Sequence, residues 1–297
     1  MKSLTQKEWI VKGATALDLS GSSTPRLDAE VLLAAVLNTQ RIRLHMYPDK
    51  PVPAWEGSLY WERIQRRCQG EPVAYLTGVQ EFMGLTFQVT PAVLIPRPET
   101  EHLVEAVLNH VSQQNDSWWE QPRLVVDVGT GSGCIAISLA RAEPGLRVQA
   151  IDLSEDALAV ARKNVRTFGL EERIEVIRGD LLKPLKEKMT VCCLPKPCVI
   201  VSNPPYISAE DMDRLPDSVA DYEPRAALNG GSDGLDFYRS LSVEAAQCLE
   251  PGGLLALEIG YDQGNTVSRL LEKAGFQQVT CMADLAGKAR VVTGIQP

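Results

Sequence analysis

Leu124-Val125-Val126-Asp127-Val128-Gly129-Thr130-Gly131-Ser132-Gly133 is a run of apolar, mostly β-branched residues carrying one acidic residue and closing on three glycines spaced by single small polar residues. The run predicts a strand buried on both faces. The glycines admit a tight turn, and the apolar-rich stretch 135–142 that follows predicts a helix. The same rhythm continues outward. Residues 148–152 predict a second strand, Ser154 caps a helix running to 165, and 174–177 predict a third strand ending at Gly179-Asp180. Residues 198–201 form a fourth apolar run, halted by Asn203-Pro204-Pro205-Tyr206, because consecutive prolines cannot donate to a ladder. After a long irregular segment come a helix at 236–249, a strand at 254–259, a helix at 264–274 and a hairpin over 276–295 turning at Ala286-Gly287. Alternating strands and helices imply an α/β fold, a doubly wound and mainly parallel sheet closed by a C-terminal antiparallel hairpin, with ligands at the carboxyl ends of the strands.

Upstream the pattern differs. Helical periodicity runs from 4 to about 70, through Trp9, Ala14 and Leu17, then Ala29, Leu32, Leu33 and Val36, then Leu59, Ile64 and Cys68. We expect a small helical domain over 1–73, a hairpin-like connector over 74–94 and the sheet domain over 95–297. Arg26, Arg41, Arg43, Arg63, Arg66 and Arg67 give the helical domain a basic tilt, read either as a solvated face or as a docking surface. Ile95-Pro96-Arg97-Pro98-Glu99-Thr100-Glu101 leads into an apolar-periodic helix, with both glutamates at its start, where the helix dipole favours carboxylates. Trp118 and Trp119 in the loop over 115–121 read as packing residues.

The chain has 297 residues, 44% hydrophobic content and a net charge of −8. The acidic balance argues against broad affinity for nucleic acid, which rests on Lys and Arg neutralising phosphates. Residues 1–8 lack the apolar core of a signal peptide and no stretch suits a membrane span, so a cytoplasmic protein is expected. Seven cysteines form no zinc pattern: Cys192, Cys193 and Cys198 lack a C-x-x-C pair and a nearby His, so no metal is expected.

The glycine turn discriminates between ligands. A dinucleotide fingerprint needs its third glycine where Cys134 stands, and Asp127 would sit badly beside a diphosphate. Such a turn after an acidic strand end suits instead a ligand with an amino-acid tail and no phosphate, as adenosylmethionine is. Asp152 ends the second strand, where it can accept from ribose hydroxyls. Asp180 ends the third, where it can accept from an adenine amino group with Leu181 and Leu182 against the ring. The Asn203 amide, proline carbonyls and the Tyr206 ring together suit a planar, nitrogen-bearing group held at its edge and stacked on its face.

Taken together, Asp127 to Gly133, Asp152, Asp180 and Asn203 to Tyr206 resemble the class I adenosylmethionine-dependent methyltransferases that modify amino groups conjugated to a π system. Asp28-Ala29-Glu30-Val31-Leu32-Leu33, Glu81-Phe82-Met83-Gly84, Ile95 to Glu101, Glu223-Pro224-Arg225-Ala226-Ala227-Leu228 and Gly230-Gly231-Ser232-Asp233-Gly234-Leu235-Asp236-Phe237-Tyr238 narrow the likeness. Over essentially the whole chain these are similar to the HemK/PrmC family, the glutamine-N5 methyltransferases of class 1 peptide-chain release factors. The resemblance implies adenosylmethionine as cofactor, no metal, and a release factor as protein partner, gripped by the helical domain and presenting the glutamine of its Gly-Gly-Gln loop. Carried over by position, Asp127, Gly129, Thr130, Gly131, Ser132, Gly133, Asp152, Leu153, Asp180, Leu181 and Asn203 would bind the cofactor. Asn203, Pro204 and Tyr206 would be catalytic, and Phe82, Arg97, Glu99, Asn203, Pro204, Pro205 and Tyr206 would meet the substrate. Met83 stands where many relatives have an aromatic, and some carry Trp at the position of Leu181. Neighbouring readings are a ribosomal-protein glutamine methyltransferase, which usually differs at Pro98-Glu99-Thr100-Glu101, and DNA adenine-N6 or rRNA guanine-N2 methyltransferases, against which the acidic balance counts. A nicotinamide oxidoreductase is disfavoured by the early third glycine, and a silent binding module by the intact Asn203 to Tyr206.

Overall fold

The computed structural model describes residues 4–192 and 194–297, and of Asp116 and Ser117 the backbone alone. Its elements in order are α1 (Gln6–Leu19), α2 (Pro25–Val36), α3 (Arg41–Met46), α4 (Ala54–Cys68), α5 (Val73–Thr77), β1 (Val79–Phe82), β2 (Leu85–Gln88), α6 (Glu101–Ser112), β3 (Arg123–Val128), α7 (Cys134–Ala142), β4 (Leu146–Asp152), α8 (Glu155–Thr167), β5 (Ile174–Arg178) and α9 (Lys183–Val191). There follow β6 (Val199–Ser202), α10 (Ala209–Met212), α11 (Asp217–Ala220), α12 (Asp236–Cys248), β7 (Leu254–Glu258), α13 (Gly264–Ala274), β8 (Gln277–Ala283) and β9 (Ala289–Ile295). They form two compact units, Met1–Val79 with Pro216–Tyr222, and Gln80–Leu215 with Glu223–Pro297.

The first unit is helical, as its periodicity predicts. Ile10, Leu17, Leu32, Leu33, Tyr60 and Ile64 fill its core. Thr5 starts α1 with a reciprocal capping box to Glu8, which satisfies two otherwise unpaired backbone donors. Several of its arginines are spoken for: Arg26 and Arg41 face Glu30, Arg66 pairs with Glu71 and Arg67 with Asp28.

In the second unit seven strands make one sheet in the order β5-β4-β3-β6-β7-β9-β8. All pairs are parallel except those of β9 with β7 and β8, which is the expected C-terminal hairpin. Side chains alternate across the sheet. Val125, Val199, Val201 and Ala256 pack beneath α6 and α7, while Val126, Ile200, Leu255 and Leu257 pack beneath α9, α12 and α13, a three-layer arrangement. The strand order reverses between β3 and β6, and that reversal opens a crevice at the carboxyl ends. Register brings Ile177, Ile151, Val128, Ser202 and Leu257 to one level. The next residues along, Asp152, Gly129, Asn203 and Glu258, therefore emerge side by side.

Three local features differ from expectation. The segment over 74–94 begins with α5 before the β1–β2 hairpin, whose turn places Met83 at φ 51° and Gly84 at φ 68°. Two positive φ angles suit a two-residue turn that follows strand twist, and the Met83 N–H donates to Glu101 at 2.7 Å. Helix α9, unassigned from sequence, offers only a narrow apolar ridge of buried Leu185 and part-buried Met189. A 3-10 turn, Asp116–Trp119, interrupts the loop before β3, and Trp118 and Trp119 pack edge to face with centroids 4.5 Å apart. Of the cysteine cluster, Cys192 is exposed and Cys198 buried, and Cys193 lies outside the described residues.

Candidate active site

At the crevice lies a cavity of about 350 Å³, a volume suited to a nucleoside-sized ligand. One wall is the turn after β3, with Gly129, Thr130, Gly131 and Ser132; Asp152, Leu153 and Ser154 after β4 and Asp180 and Leu181 after β5 continue it. Asn203, Pro204 and Pro205 after β6 also line the cavity, with Pro96, Arg97 and Thr100, and Pro224, Ala226, Ala227 and Phe237 complete the enclosure.

The turn is held by its own polar groups. Gly129 and Thr130 N–H both donate to the Ile151 carbonyl, at 2.8 and 3.0 Å. Gly133 has φ 81°, and a Cβ there would lie 3.5 Å from Ala161, so the left-handed conformation rather than crowding demands glycine. The carboxylate of Asp152 accepts from Gly131 N–H and from Ser154 N–H, each at 2.9 Å, which fixes its orientation at the cavity edge. Asp180 pairs with Lys183 at 2.5 Å. Asp127 is fully buried behind the turn rather than on the cavity wall, accepting from Thr130 Oγ1 at 2.6 Å and Ala136 N–H at 3.2 Å. Burial pushes its carboxyl up to about 7, against the pull of those two donors.

After β6, Asn203 Nδ2 donates to Thr100 Oγ1 at 3.2 Å. Tyr206 is part-buried, its phenol pushed up to about 12 by burial, and it packs against the apolar core beneath the sheet rather than forming a cavity wall. Arg97 lines the cavity and is ion-paired with Glu223, a buried carboxylate that also accepts from Ile95 N–H at 3.2 Å. Glu99 lies near Tyr206, Arg290 and Glu258 but is not part of the cavity wall. Phe82 is buried in the core, edge to face with Phe87 at 6.2 Å between centroids, and does not line the cavity; β1 ends by turning this ring inward.

Sequence reading passed over Glu223, Glu258 and Gln263 as site residues, whereas Thr100 falls within the Arg97 to Glu101 segment that the resemblance sets at the pocket border. Gln263 uses both ends of its amide: Nε2 donates to the Tyr206 and Gly234 carbonyls at 3.0 and 3.2 Å, and Oε1 accepts from Gly260 N–H at 2.9 Å. No local signal marks Gln263, which precedes α13 without a side-chain cap bond and finds Tyr206 and Gly234 only through the fold.

The donor set can hold a cationic nucleoside. Two carboxylates, Asp152 and Asp180, edge the cavity, and Ser132 Oγ in its lining is buried with no hydrogen-bond partner among the described residues. A ligand bearing ammonium and hydroxyl donors satisfies such acceptors, whereas a diphosphate meets like charge. No group of His, Cys, Asp and Glu among the described residues is placed to hold a metal ion, and no described helix is long and apolar enough to cross a membrane.

Sheet order, glycine turn and crevice are those of a methyltransferase fold. The T. thermophilus 16S rRNA N2 G1207 methyltransferase, determined in complex with AdoMet and guanosine, shares it with a TM-score of 0.51 at 20% identity, covering 74% of this chain and 50% of that one. Residues 8–78 match the family model described as PrmC N-terminal domain, and residues 104–216 that of the methyltransferase small domain. The release factor glutamine methyltransferase of Moorella thermoacetica is 43% identical over 97% of this chain and 97% of its own. That of Koribacter versatilis is 40% identical over 99% of each. The chain belongs to the release factor glutamine methyltransferase family.

Proposed function

We propose that this chain transfers a methyl group from adenosylmethionine to the side-chain nitrogen of the glutamine in the Gly-Gly-Gln loop of a class 1 peptide-chain release factor. The reading is carried by Asn203 and Pro204 lining the same cavity as a turn with acceptors for a cationic nucleoside. Curated relatives of nearly the same length bear the matching name.

When bound, adenosylmethionine supplies an electrophilic methyl carried on a sulfonium. The residues of the chain then have two tasks. Gly129 to Ser132, Asp152, Leu153, Asp180 and Leu181 hold the donor, with the Asp152 carboxylate receiving ribose hydroxyls on the lone pairs left after Gly131 and Ser154. Asn203 Oδ1 and the Pro204 carbonyl accept the two N–H bonds of the glutamine amide, whose lone pair is otherwise delocalised. Holding both hydrogens draws the nitrogen toward tetrahedral geometry and aims its lone pair at the methyl. No base need act before transfer, because the methylated amide loses its surplus proton to water. Tyr206 anchors the end of the Asn203 to Tyr206 segment in the apolar core, and the helical unit is the docking surface for the release factor. These substrates place the protein in the cytoplasm.

The reaction is tested by incubating the protein and adenosylmethionine with a release factor or its loop Gln→Ala variant and reading intact mass. One methyl is expected on the first and none on the second; a gain on both, or on neither, refutes the reading. Asp152→Asn sets a donor against either Gly131 or Ser154 N–H and removes an acceptor from the ribose. Calorimetry should show about tenfold weaker adenosylmethionine binding, the loss of roughly one good hydrogen bond.

A further inference from the structure

Glu258 is the last residue of β7 and emerges one position beyond Leu257, which pairs with Ser202, so it stands beside Asn203 across the strand ends. Its side chain is buried and its Oε2 has no hydrogen-bond partner among the described residues. Thr100 and Asn203 are its polar neighbours, and both favour its charged form. Thr100 is itself buried and receives Asn203 Nδ2 at 3.2 Å. A carboxamide has one accepting and two donating positions on nearly identical atoms, and only its surroundings decide which edge faces the ligand.

We propose that Glu258 is a positioning residue for glutamine methylation: its carboxylate, which can only accept, holds the Nδ2 edge of Asn203 together with Thr100 and thereby turns Asn203 Oδ1 toward the acceptor amide. This rests on the methyl-transfer reading above and extends it to a residue that need not touch substrate. An amide turned the other way would present N–H to N–H and repel the glutamine nitrogen.

The charge on Glu258 is then part of the device. Burial raises its carboxyl to about 7, opposed by Thr100, Arg290 and Asn203 and reinforced by Glu99. Tyr206, Tyr238 and Cys134 are the other titratable groups that feel it, and burial raises each of them above its ordinary value, so they stay neutral near neutrality. Below about pH 7 the protonated acid can donate to Asn203 Oδ1 and release the wrong edge. Turnover should therefore fall as pH drops through that region.

The test compares wild type with Glu258→Ala and Glu258→Gln. Glu258→Ala should lower kcat by about 30-fold with adenosylmethionine affinity within about threefold, a loss confined to the transition state. Glu258→Gln, whose Oε1 can still accept from Asn203, should recover kcat at pH 8.5 to within about fivefold and lose the acid limb. In the substrate-free protein, the Asn203 side-chain amide resonances, assigned through Asn203→Ala, should titrate near pH 7 in wild type and not in Glu258→Gln. An unchanged acid limb in Glu258→Gln, a wild-type kcat in Glu258→Ala, or Asn203 resonances that ignore pH would each overturn the proposal. The resonance measurement needs no substrate, so a wild type that leaves the release factor unmodified refutes the methyl-transfer reading separately.

Discussion

Asn203→Ala is expected to lower kcat for glutamine methylation by about 10³-fold while adenosylmethionine binds within about threefold of wild type, as for loss of a group that stabilises developing charge. The substitution removes the side-chain oxygen proposed to accept one N–H of the substrate amide and leaves the backbone in place. The Asn203 main-chain carbonyl lies 4.0 Å from where a Gly129 Cβ would be, and alanine keeps that carbonyl. Lost accepting power should therefore appear in turnover and not in donor affinity. Single-turnover kinetics beside calorimetry separates the two, and a main defect in adenosylmethionine affinity would contradict this division of labour. Asn203→Asp is informative beside it: an acidic side chain next to Glu258 meets like charge, so it should not rescue.

Gly234→Ala should be the most damaging single methyl group near the site. Gly234 has φ 74°, and an added Cβ would lie 2.3 Å from the Tyr206 carbonyl oxygen and 2.8 Å from Gln263 Nε2. It thus collides with the bond by which Gln263 holds Tyr206 and must displace the backbone that follows Pro204 and Pro205. Gly252→Ala serves as control, since Gly252 has φ 79° and nothing within 4 Å of its added Cβ. Both variants carry the left-handed strain of about 1 kcal/mol. Only Gly234→Ala should also lose about 100-fold in kcat and roughly 5 °C in melting temperature, consistent with a few kcal/mol in a domain of this size. Equal losses in the two would show that strain alone is at work.

The sheet was legible because each strand is an apolar run bounded by a glycine, proline or acidic residue, and buried parallel strands leave that signature whatever packs on them. Helix α9 was not, since Lys183, Lys186, Glu187 and Lys188 dilute its ridge, and its place depends on Leu185 finding the underside of the sheet. The cavity lining after β3, β4 and β5 could be read in advance because Gly129 to Ser132, Asp152 and Asp180 are strand-end residues in local patterns. Glu258 could not, although it too ends a strand. Its neighbours Thr100 and Asn203 come from distant segments, and only strand register brings a glutamate from β7 against an asparagine from β6. Phe82 shows the converse: an aromatic beside a family motif invites a role in the pocket, but hairpin twist turns it toward Phe87.

The common level at which β4, β3, β6 and β7 end makes the sheet a ruler. Adjacent strands lie about 4.8 Å apart, so Asp152 and Asn203, two strands distant, are spaced by roughly 10 Å of ladder rather than by any loop. Insertions in the connecting segments can reshape the cavity's walls, but the span between Asp152 and Asn203 is ruled off in main-chain hydrogen bonds that no surface loop can lengthen.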